Sequence, residues 1–298
     1  MTPAPHPISE GVDEYLVSVR VERGLSRNTV SAYERDLRQY GEFLEGRLPT
    51  DDLVAEFVAS MKKQGLASST INRKIASIRG FHRFLVREGM ASEDPTALIE
   101  GPRRPDPFPK ALSIDEAVSL VEAPGSDEIG DRRDRALLEF LYATGARVSE
   151  SVGLDLTDID LTDKVVLVTG KGDRQRLVPL GDKAVQAISE WLPDRLALLR
   201  RDEPGDPVFL NLRGRRITRQ GAFNIVKKRA DDAGIDPGKV SPHVLRHSAA
   251  THMVEAGADL RTVQEILGHA TISTTQVYTR VSPAHLMEIY VQAHPRSR

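Results

Sequence analysis

The sequence predicts a mainly α-helical protein with a four-helix N-terminal domain and a second, mostly helical domain that carries a small antiparallel sheet. Apolar residues recur at helical spacing through most of the chain, and two short runs of β-branched residues flank one glycine-rich turn. Between the two parts lies the segment 101–110, GPRRPDPFPK, whose prolines fix φ and lack N–H donors. We therefore predict domains at 1–100 and 111–298, joined by a linker at 101–110. A loop inside one domain is the alternative.

Four stripes of apolar residues predict the helices of the N-terminal domain. The stripes consist of Val12, Tyr15, Leu16 and Val19; of Val30, Tyr33, Leu37, Tyr40 and Leu44; of Leu53, Phe57 and Met61; and of Ile71, Ile75, Ile78 and Leu85. Residues suited to begin or end a helix bound the last three stripes: Ser26 and Gly46, Thr50 and Gly65, Ser68 and Gly89. These spacings predict a small helical bundle.

The second domain begins with helical signals and then changes to a hairpin. Ser113-Ile-Asp-Glu116 is a capping box that opens one helix, and a further helix is predicted from about Asp131 to Ala143. The runs 164–169 (KVVLVT) and 175–180 (QRLVPL) flank Gly-Lys-Gly-Asp-Arg, which is typical of a β-hairpin. From Thr218 onward the pattern is helical again, with breaks near 234–238, Gly257 and Gly268.

Composition excludes several classes of protein. The chain has no cysteine, which excludes disulfides and thiolate metal sites. It has no run of 18 apolar residues, and the N-terminus lacks the regions of a signal peptide, so we expect a cytoplasmic protein without a membrane partner. The net charge of −2 argues against a uniformly basic protein that coats DNA.

The charges are nevertheless segregated along the chain. Lys62–Arg87 and Val208–Ala230 each hold seven Lys or Arg and no acid, whereas Asp115–Glu139 holds eight acids against three arginines. Such separation is expected if one face meets phosphates. The alternative is that each basic run is an ordinary solvated helix face.

Two arginines have settings that suit phosphodiester chemistry. An enzyme that attacks phosphorus without a metal needs fixed cationic donors for the non-bridging oxygens, and the planar guanidinium fork suits this. Arg147 follows a Thr-Gly break at a helix end, and Arg246 lies three residues after His243, so that His243 and Arg246 share one helix face. Either arginine alone is more often a surface ion pair. His243 and His247 also have the spacing of two zinc ligands, but no HExxH motif surrounds them.

Three further side chains complete a candidate site. Tyr278 has polar neighbours on both sides, unlike a core aromatic, and a deprotonated phenol is a nucleophile. His269, nine residues upstream after Leu-Gly, can donate to a phosphate oxygen. Lys171 lies on the hairpin turn, where an ammonium can reach a leaving group, although a turn lysine is usually only solvated. Its GKG sequence is not a P-loop.

Taken in order, these residues resemble the signature of the tyrosine recombinase (phage-integrase-type) family. The matching segments are ARVSE, a lysine on a β-hairpin, H-x-x-R, L-G-H and the late tyrosine. Four segments are similar to the Xer subgroup: PKALSIDEAVSLVEAP, SPHVLRHSAATHM, GADLRTVQEILGHATISTTQVYTRV and the terminal AHPR. The segment GLSRNTVSAYERDLRQY resembles the core-binding domain of the family. The resemblance implies a four-helix SAM-like core-binding domain and a mixed α/β catalytic domain. Ala146 and Ser151 depart from the family, where leucine is expected, and predict looser packing around Arg147.

The resemblance also implies a role for each catalytic residue. Tyr278 would attack the scissile phosphate and form a 3′-phosphotyrosine, while Arg147, Arg246 and His269 would stabilise the transition state. Lys171 would protonate the leaving 5′ oxygen, and His243 would assist proton transfer. Glu150 would orient the site. The phosphotyrosine conserves the bond energy, so no cofactor and no metal are expected.

The same resemblance implies the partners. Double-stranded DNA with a dif-like site would be held between the two domains; the proposed DNA-binding residues are Arg27, Asn28, Arg73, Lys74, Arg79, Arg215 and Arg219. A second, XerC-like recombinase would complete a tetramer, and an FtsK-type translocase would control it. The alternatives are the XerC-type role itself, a mobile-element integrase, and a non-catalytic DNA-binding regulator. We expect no arm-binding domain of a lambda-type integrase, because about 100 residues precede the linker, and a regulator would not need Tyr278 and Lys171. A type IB topoisomerase shares the chemistry.

Overall fold

A computed structural model describes residues 7–21, 25–102, 111–170, 172–268 and 283–297 of the chain. The chain separates into two compact units, Met1–Pro107 and Phe108–Arg298. None of the described helices is long and apolar enough to cross a membrane.

The first unit is a bundle of four helices packed around aromatic and aliphatic side chains. The helices are α1 (Pro7–Val21), α2 (Arg27–Leu44), α3 (Asp51–Lys63) and α4 (Ser68–Arg87). The predicted caps are confirmed at two of them: Ser26 accepts a hydrogen bond from the amide of Thr29, and Thr50 accepts one from the amide of Leu53. The residues of the four predicted stripes are buried in this core or packed against it. Tyr40 and Phe81, which also lie in this core, are fully buried.

The described part of the second unit contains eight helices. They are α5 (Ile114–Glu122), α6 (Ile129–Thr144), α7 (Val148–Gly153), α8 (Asp182–Leu198), α9 (Arg219–Asp232), α10 (Pro242–Glu255), α11 (Leu260–Leu267) and α12 (Pro283–Ala293). The predicted capping box at the start of α5 is confirmed. Helix α6 forms the centre of the core, since its residues from Ala136 to Thr144 are all buried, and α5, α8 and α10 pack around it.

A three-stranded antiparallel sheet flanks these helices. Its strands are β1 (Ile159–Asp160), β2 (Val165–Thr169) and β3 (Gln175–Pro179), in the order β1-β2-β3. Val166 lies opposite Val178, and both side chains are buried in the core. The predicted hairpin is therefore confirmed, and β1 adds a short edge strand that the sequence pattern did not indicate.

Helices α7 and α8 also go beyond the elements predicted from sequence. Pro193 lies inside α8, and a proline in a helix interior normally argues against a helix. Packing explains why α8 forms: Trp191 and Ile188 are fully buried against the α6 core, and the indole N–H donates to the carbonyl of Val208.

The last described residues pack against the helical core of the second unit. Tyr290 is fully buried and stacks on His294, whose ring nitrogen Nε2 lies 3.1 Å from the carbonyl oxygen of Tyr142. Arg296 donates to Glu139 and Glu122. Helix α12 and the residues after it are thus held by α5 and α6.

Candidate active site

Arg147 lies at the junction of two helices. Gly145 ends α6 in the left-handed region, with φ of 54°, and Arg147 is the residue immediately before α7. Its side chain is 44% exposed. Glu150 holds both ends of this residue: one carboxylate oxygen accepts from the Arg147 amide at 2.9 Å, and the other accepts from its Nη1 at 2.8 Å. This arrangement fixes a guanidinium that still faces solvent.

Arg246 approaches from a different helix. It lies in the middle of α10 and is 7% exposed. Its Nη1 donates to the carbonyl of Gly145 at 2.6 Å, and its Nη2 donates to the carbonyl of Leu267 at 2.7 Å. The side chain therefore ties the end of α6 to the end of α11.

At the C-terminal end of α11, three consecutive backbone carbonyl groups each bind one arginine side chain. The carbonyl of Ile266 accepts a hydrogen bond from Arg176 at 2.8 Å. The carbonyl of Leu267 accepts one from Arg246 at 2.7 Å, and that of Gly268 accepts one from Arg147 at 3.2 Å. Carbonyls at a helix C-terminus have no partner within the helix and carry partial negative charge. The helix end thus stabilises a concentration of positive charge that would otherwise repel itself.

Glu150 and Arg176 form a buried, two-pronged ion pair beneath this helix end. The Arg176 Nη1 and Nη2 donate to the two carboxylate oxygens at 3.1 and 2.8 Å, and both side chains are under 10% exposed. Burial alone would raise the pKa of Glu150, but the hydrogen bonds and charge of Arg176, together with those of Arg147, lower the pKa below its ordinary value. Glu150 is therefore ionised at neutral pH.

The surroundings of Arg246 favour a bound anion. Burial and the positive charge of Arg147 lower the pKa of Arg246 to about 10, an effect that Glu150 opposes and Arg176 reinforces. Within the part of the chain that the structure describes, Arg246 makes no ion pair with a carboxylate. Three guanidinium groups against one carboxylate leave excess positive charge, which an anion between Arg147 and Arg246 would neutralise.

His243 lies in the first turn of α10, which begins after the N-cap Ser241, and it is exposed. Arg246 follows one turn later on the same helix, where it is buried whereas His243 is exposed. His247 is half-buried on the same helix. Among the residues that the structure describes, no group of three or more His, Asp or Glu side chains is placed to hold a metal ion.

Lys171, His269 and Tyr278 lie outside the described residues. The residues directly before two of them are described: Gly170 follows strand β2 and bonds across the hairpin to the carbonyl of Arg174, and Gly268 ends α11. Gly170 and Gly268 themselves lie beside Glu150 and Arg176.

The predicted DNA-binding residues have two kinds of surroundings. Arg27, Asn28 and Arg219 are exposed in the first turns of α2 and α9. The other four have internal partners: Arg73 and Lys74 pair with Asp36, Arg79 donates to the carbonyls of Thr96 and Ile99, and Arg215 pairs with Asp202 and Glu203. Of these four, Arg73 and Arg215 keep 41% of their side chains exposed, whereas Lys74 keeps 8%.

Arg176 is a site residue that sequence reasoning missed. It lies in a run interpreted only as a strand, but in that strand it shares the inward face with Val178. A charged residue at an inward position of an alternating strand is the signal that identifies it, because such a residue needs a buried partner.

The two departures from the family pattern lie in buried surroundings close to Arg147 in the chain. Ala146 and Ser151 are both fully buried. The Ser151 hydroxyl donates to the carbonyl of Arg147 at 3.2 Å, and the Ala146 amide donates to Thr144 at 3.1 Å.

Comparison with known proteins gives matches along both units. Residues 110–285 match the phage integrase family, and residues 12–89 match the phage integrase N-terminal SAM-like domain. The chain is 45% identical over 302 residues to tyrosine recombinase XerD of Mycobacterium tuberculosis, covering 95% of this chain and 97% of the relative. It is 41% identical to tyrosine recombinase XerD of Halalkalibacterium halodurans, covering 97% and 99%.

Among solved structures, the chain is similar to the XerH site-specific recombinase bound to palindromic difH substrate in a post-cleavage complex. The TM-score is 0.70 and the identity 25%, with 95% of this chain and 84% of that chain covered. The predicted mainly helical fold with a small antiparallel sheet and the resemblance to the Xer subgroup are thereby confirmed.

Proposed function

The chain belongs to the phage integrase family of tyrosine recombinases and is a site-specific DNA recombinase, and we propose that it resolves chromosome dimers by cutting and rejoining DNA at a dif-like site. The observation that carries the chemistry is the pair Arg147 and Arg246, bound to the adjacent carbonyls of Gly268 and Leu267. Two fixed guanidinium groups, one exposed and one without a carboxylate partner among the described residues, suit the non-bridging oxygens of a scissile phosphate.

The reaction divides into roles that these side chains can perform. Arg147 and Arg246 neutralise the charge that develops on phosphorus oxygens, and removing one such donor costs about 10²–10³ in rate. Tyr278 attacks the phosphate and forms the 3′-phosphotyrosine. Lys171 protonates the leaving 5′ oxygen, and His269 donates to a phosphate oxygen. His243, exposed at the start of α10, assists proton transfer.

Because the phosphotyrosine conserves the energy of the bond, rejoining is the reverse of cleavage. The 5′ hydroxyl of a partner strand attacks phosphorus, the bond to Tyr278 breaks and the tyrosine oxygen regains its proton. The same arginines stabilise both directions, so the reaction needs neither ATP nor a metal ion.

The proposed DNA-binding residues come from both proposed domains, residues 1–100 and 111–298, which the segment 101–110 joins. Arg27, Asn28 and Arg219 are the candidates whose side chains are exposed. The other four, Arg73, Lys74, Arg79 and Arg215, already have internal partners, with which a phosphate would compete. Phosphate contacts of this kind position a protein on DNA without specifying the sequence.

Relatives named XerD support the assignment of a XerD-type role. In that role the chain acts in the cytoplasm, in a tetramer with a XerC-like recombinase under control of an FtsK-type translocase. The XerH structure in complex with difH supports a dif-like DNA partner.

Covalent capture of DNA tests this function. The full-length protein is incubated with nicked duplexes that carry a randomised central stretch. Cleavage next to the nick releases a short fragment and traps the protein on the 3′ end. Denaturing gels isolate the complexes, and sequencing identifies the site. We expect one enriched sequence with two inverted half-sites that occurs at a single chromosomal locus.

Three other outcomes would favour the alternatives. Enriched sites at the ends of a mobile element would indicate an integrase. Binding without any covalent complex would indicate a DNA-binding regulator. Covalent capture without sequence enrichment would indicate a topoisomerase.

A further inference from the structure

Arg176 is buried at the centre of the site, and its donors point inward. The side chain is 8% exposed on the inner face of β3. Each of its three nitrogens donates to an acceptor within the protein: Nε to the carbonyl of Ile266, and Nη1 and Nη2 to Glu150. Arg176 therefore does not have the geometry of a phosphate ligand.

The two glycines that precede Lys171 and His269 lie against the Glu150–Arg176 ion pair. A Cβ atom built on Gly268 would lie 3.0 Å from Cδ, Nε and Nη1 of Arg176. A Cβ atom on Gly170 would lie 3.2 Å from the Glu150 carboxylate and 3.9 Å from Arg176 Nη1. A side chain at either position would crowd the ion pair, so Gly268 lies directly against Arg176 and Gly170 lies against its partner Glu150.

We propose that Arg176 is a positioning residue of the recombinase, which holds Glu150 against Arg147 and holds the end of α11 beneath Arg246. Arg176 acts through two contacts. Through Glu150, Arg176 fixes the amide and the guanidinium of Arg147. Through Ile266, it fixes the first of the three carbonyls that bind the arginines. The inference rests on the proposed function, because positioning matters only if a phosphate binds there.

Single-turnover cleavage separates positioning from stability. The probe is a nicked duplex with the DNA sequence that the parent protein selects in the capture experiment. The enzyme is in excess over this duplex. Arg176→Gln removes the cation and two of its three hydrogen bonds, and we expect the cleavage rate at saturating enzyme to fall about 10²-fold, as for a small misplacement of reacting groups. The Kd for the duplex should not change, because the side chain does not reach the DNA. Arg176→Lys keeps the charge without the fork and should give an intermediate rate.

Arg195 provides the matched control. It is as buried as Arg176, and it likewise donates Nε to a backbone carbonyl, that of Pro207, and Nη2 to a carboxylate, that of Asp206. It lies on α8 and makes none of the contacts of the site. Arg195→Lys and Arg176→Lys should lower Tm to a similar extent, but only Arg176→Lys should slow cleavage by the folded protein.

A double variant tests the route through Glu150. If Arg176 acts by holding Glu150, the variant Arg176→Gln with Glu150→Gln should be no slower than the slower single variant. Fully additive losses, an unchanged rate in both Arg176 variants, or equal slowing by Arg195→Lys would each overturn the proposal. A parent protein that forms no covalent complex would instead refute the recombinase function, so the two failures are distinguishable.

Discussion

Glu150 binds Arg147 twice, at its backbone amide and at its guanidinium. The amide contact begins α7, and the side-chain contact sets the direction of a half-exposed cation. A single carboxylate therefore determines both where a helix starts and where a site arginine points. Glu150 is in turn held by Arg176, so the helix, the strand and the site are one structural unit.

The ionised state of Glu150 should make stability depend on pH. Its pKa in the folded protein lies below the ordinary value of 4.5. The group therefore contributes stability that is fully present above about pH 4.5 and is lost as the pH falls through the lowered folded-state pKa. Glu150→Gln should lose about 3 kcal/mol at neutral pH, because it leaves buried Arg176 without its counter-ion. Thermal unfolding of parent and variant from pH 7 to 3 measures this. Equal slopes in Tm below pH 5 would contradict it.

Gly145→Ala should destabilise the protein and slow cleavage. Gly145 has φ of 54°, and an added Cβ would lie 2.4 Å from Cδ2 of Leu267. We expect a loss of about 1–3 kcal/mol from overpacking together with the left-handed backbone. Displacement of Leu267 would also disturb the carbonyl that binds Arg246. Denaturant unfolding measures the loss.

Gly153→Ala is the control for that substitution. Gly153 ends α7 and is exposed, and a Cβ added there would have no heavy atom within 4 Å among the described residues. This variant should be neutral or slightly more stable, since alanine favours a helix. If both variants behave alike, the close contact at Gly145 has no energetic weight.

Tyr278→Phe should abolish covalent attachment and leave DNA binding intact. Only the phenol oxygen is the proposed nucleophile, and the ring itself is kept. Gel-shift titration gives the binding, and denaturing electrophoresis with the nicked duplex gives the attachment. A covalent complex that persists in this variant would refute the assignment of Tyr278.

Lys171→Ala should slow cleavage of ordinary DNA by roughly 10²–10⁴ if the ammonium is a general acid. A substrate with sulfur in place of the 5′ bridging oxygen has a better leaving group and needs no proton. The variant should cleave that substrate nearly as fast as the parent does. Arg147→Ala is the control, because charge on the non-bridging oxygens still develops and sulfur should give no rescue. Rescue of both variants, or of neither, would place the general acid elsewhere.

Cleavage should continue in the presence of EDTA. The proposed chemistry uses cationic and proton-donating side chains in the roles that a metal has in other nucleases. The assay is covalent capture after dialysis against the chelator, with a magnesium-dependent nuclease as the positive control for chelation. Loss of activity that zinc or magnesium restores would mean that His243 and His247 bind a metal.

Local patterns predicted the local parts of this fold. The caps at Ser26 and Thr50, the capping box of α5 and the hairpin all depend on residues a few positions apart. The convergence on the end of α11 joins residues 121, 90 and 21 positions apart, for Arg147, Arg176 and Arg246. No periodicity encodes such contacts. The ordered motif indicated two of the three arginines, and only the three-dimensional structure identified the third.

Helix α8 is a second element that the local sequence pattern did not predict. Its proline opposes a helix locally, whereas burial of Trp191 against α6 favours one. Tertiary contacts decide the outcome, and they are not visible in a window of sequence.

The three consecutive carbonyls at the end of α11 also affect whether a DNA strand, once cut, is resealed. A recombinase that cut DNA but could not reseal it would leave a broken chromosome with protein attached to it. Since Arg147, Arg176 and Arg246 each donate to this one helix end, its displacement would remove one hydrogen bond from all three at once. In the proposed reaction, cutting and sealing use the same groups in opposite directions, so both would slow together. The architecture thereby favours a fully competent protein or an inert one, and disfavours the intermediate that damages the genome.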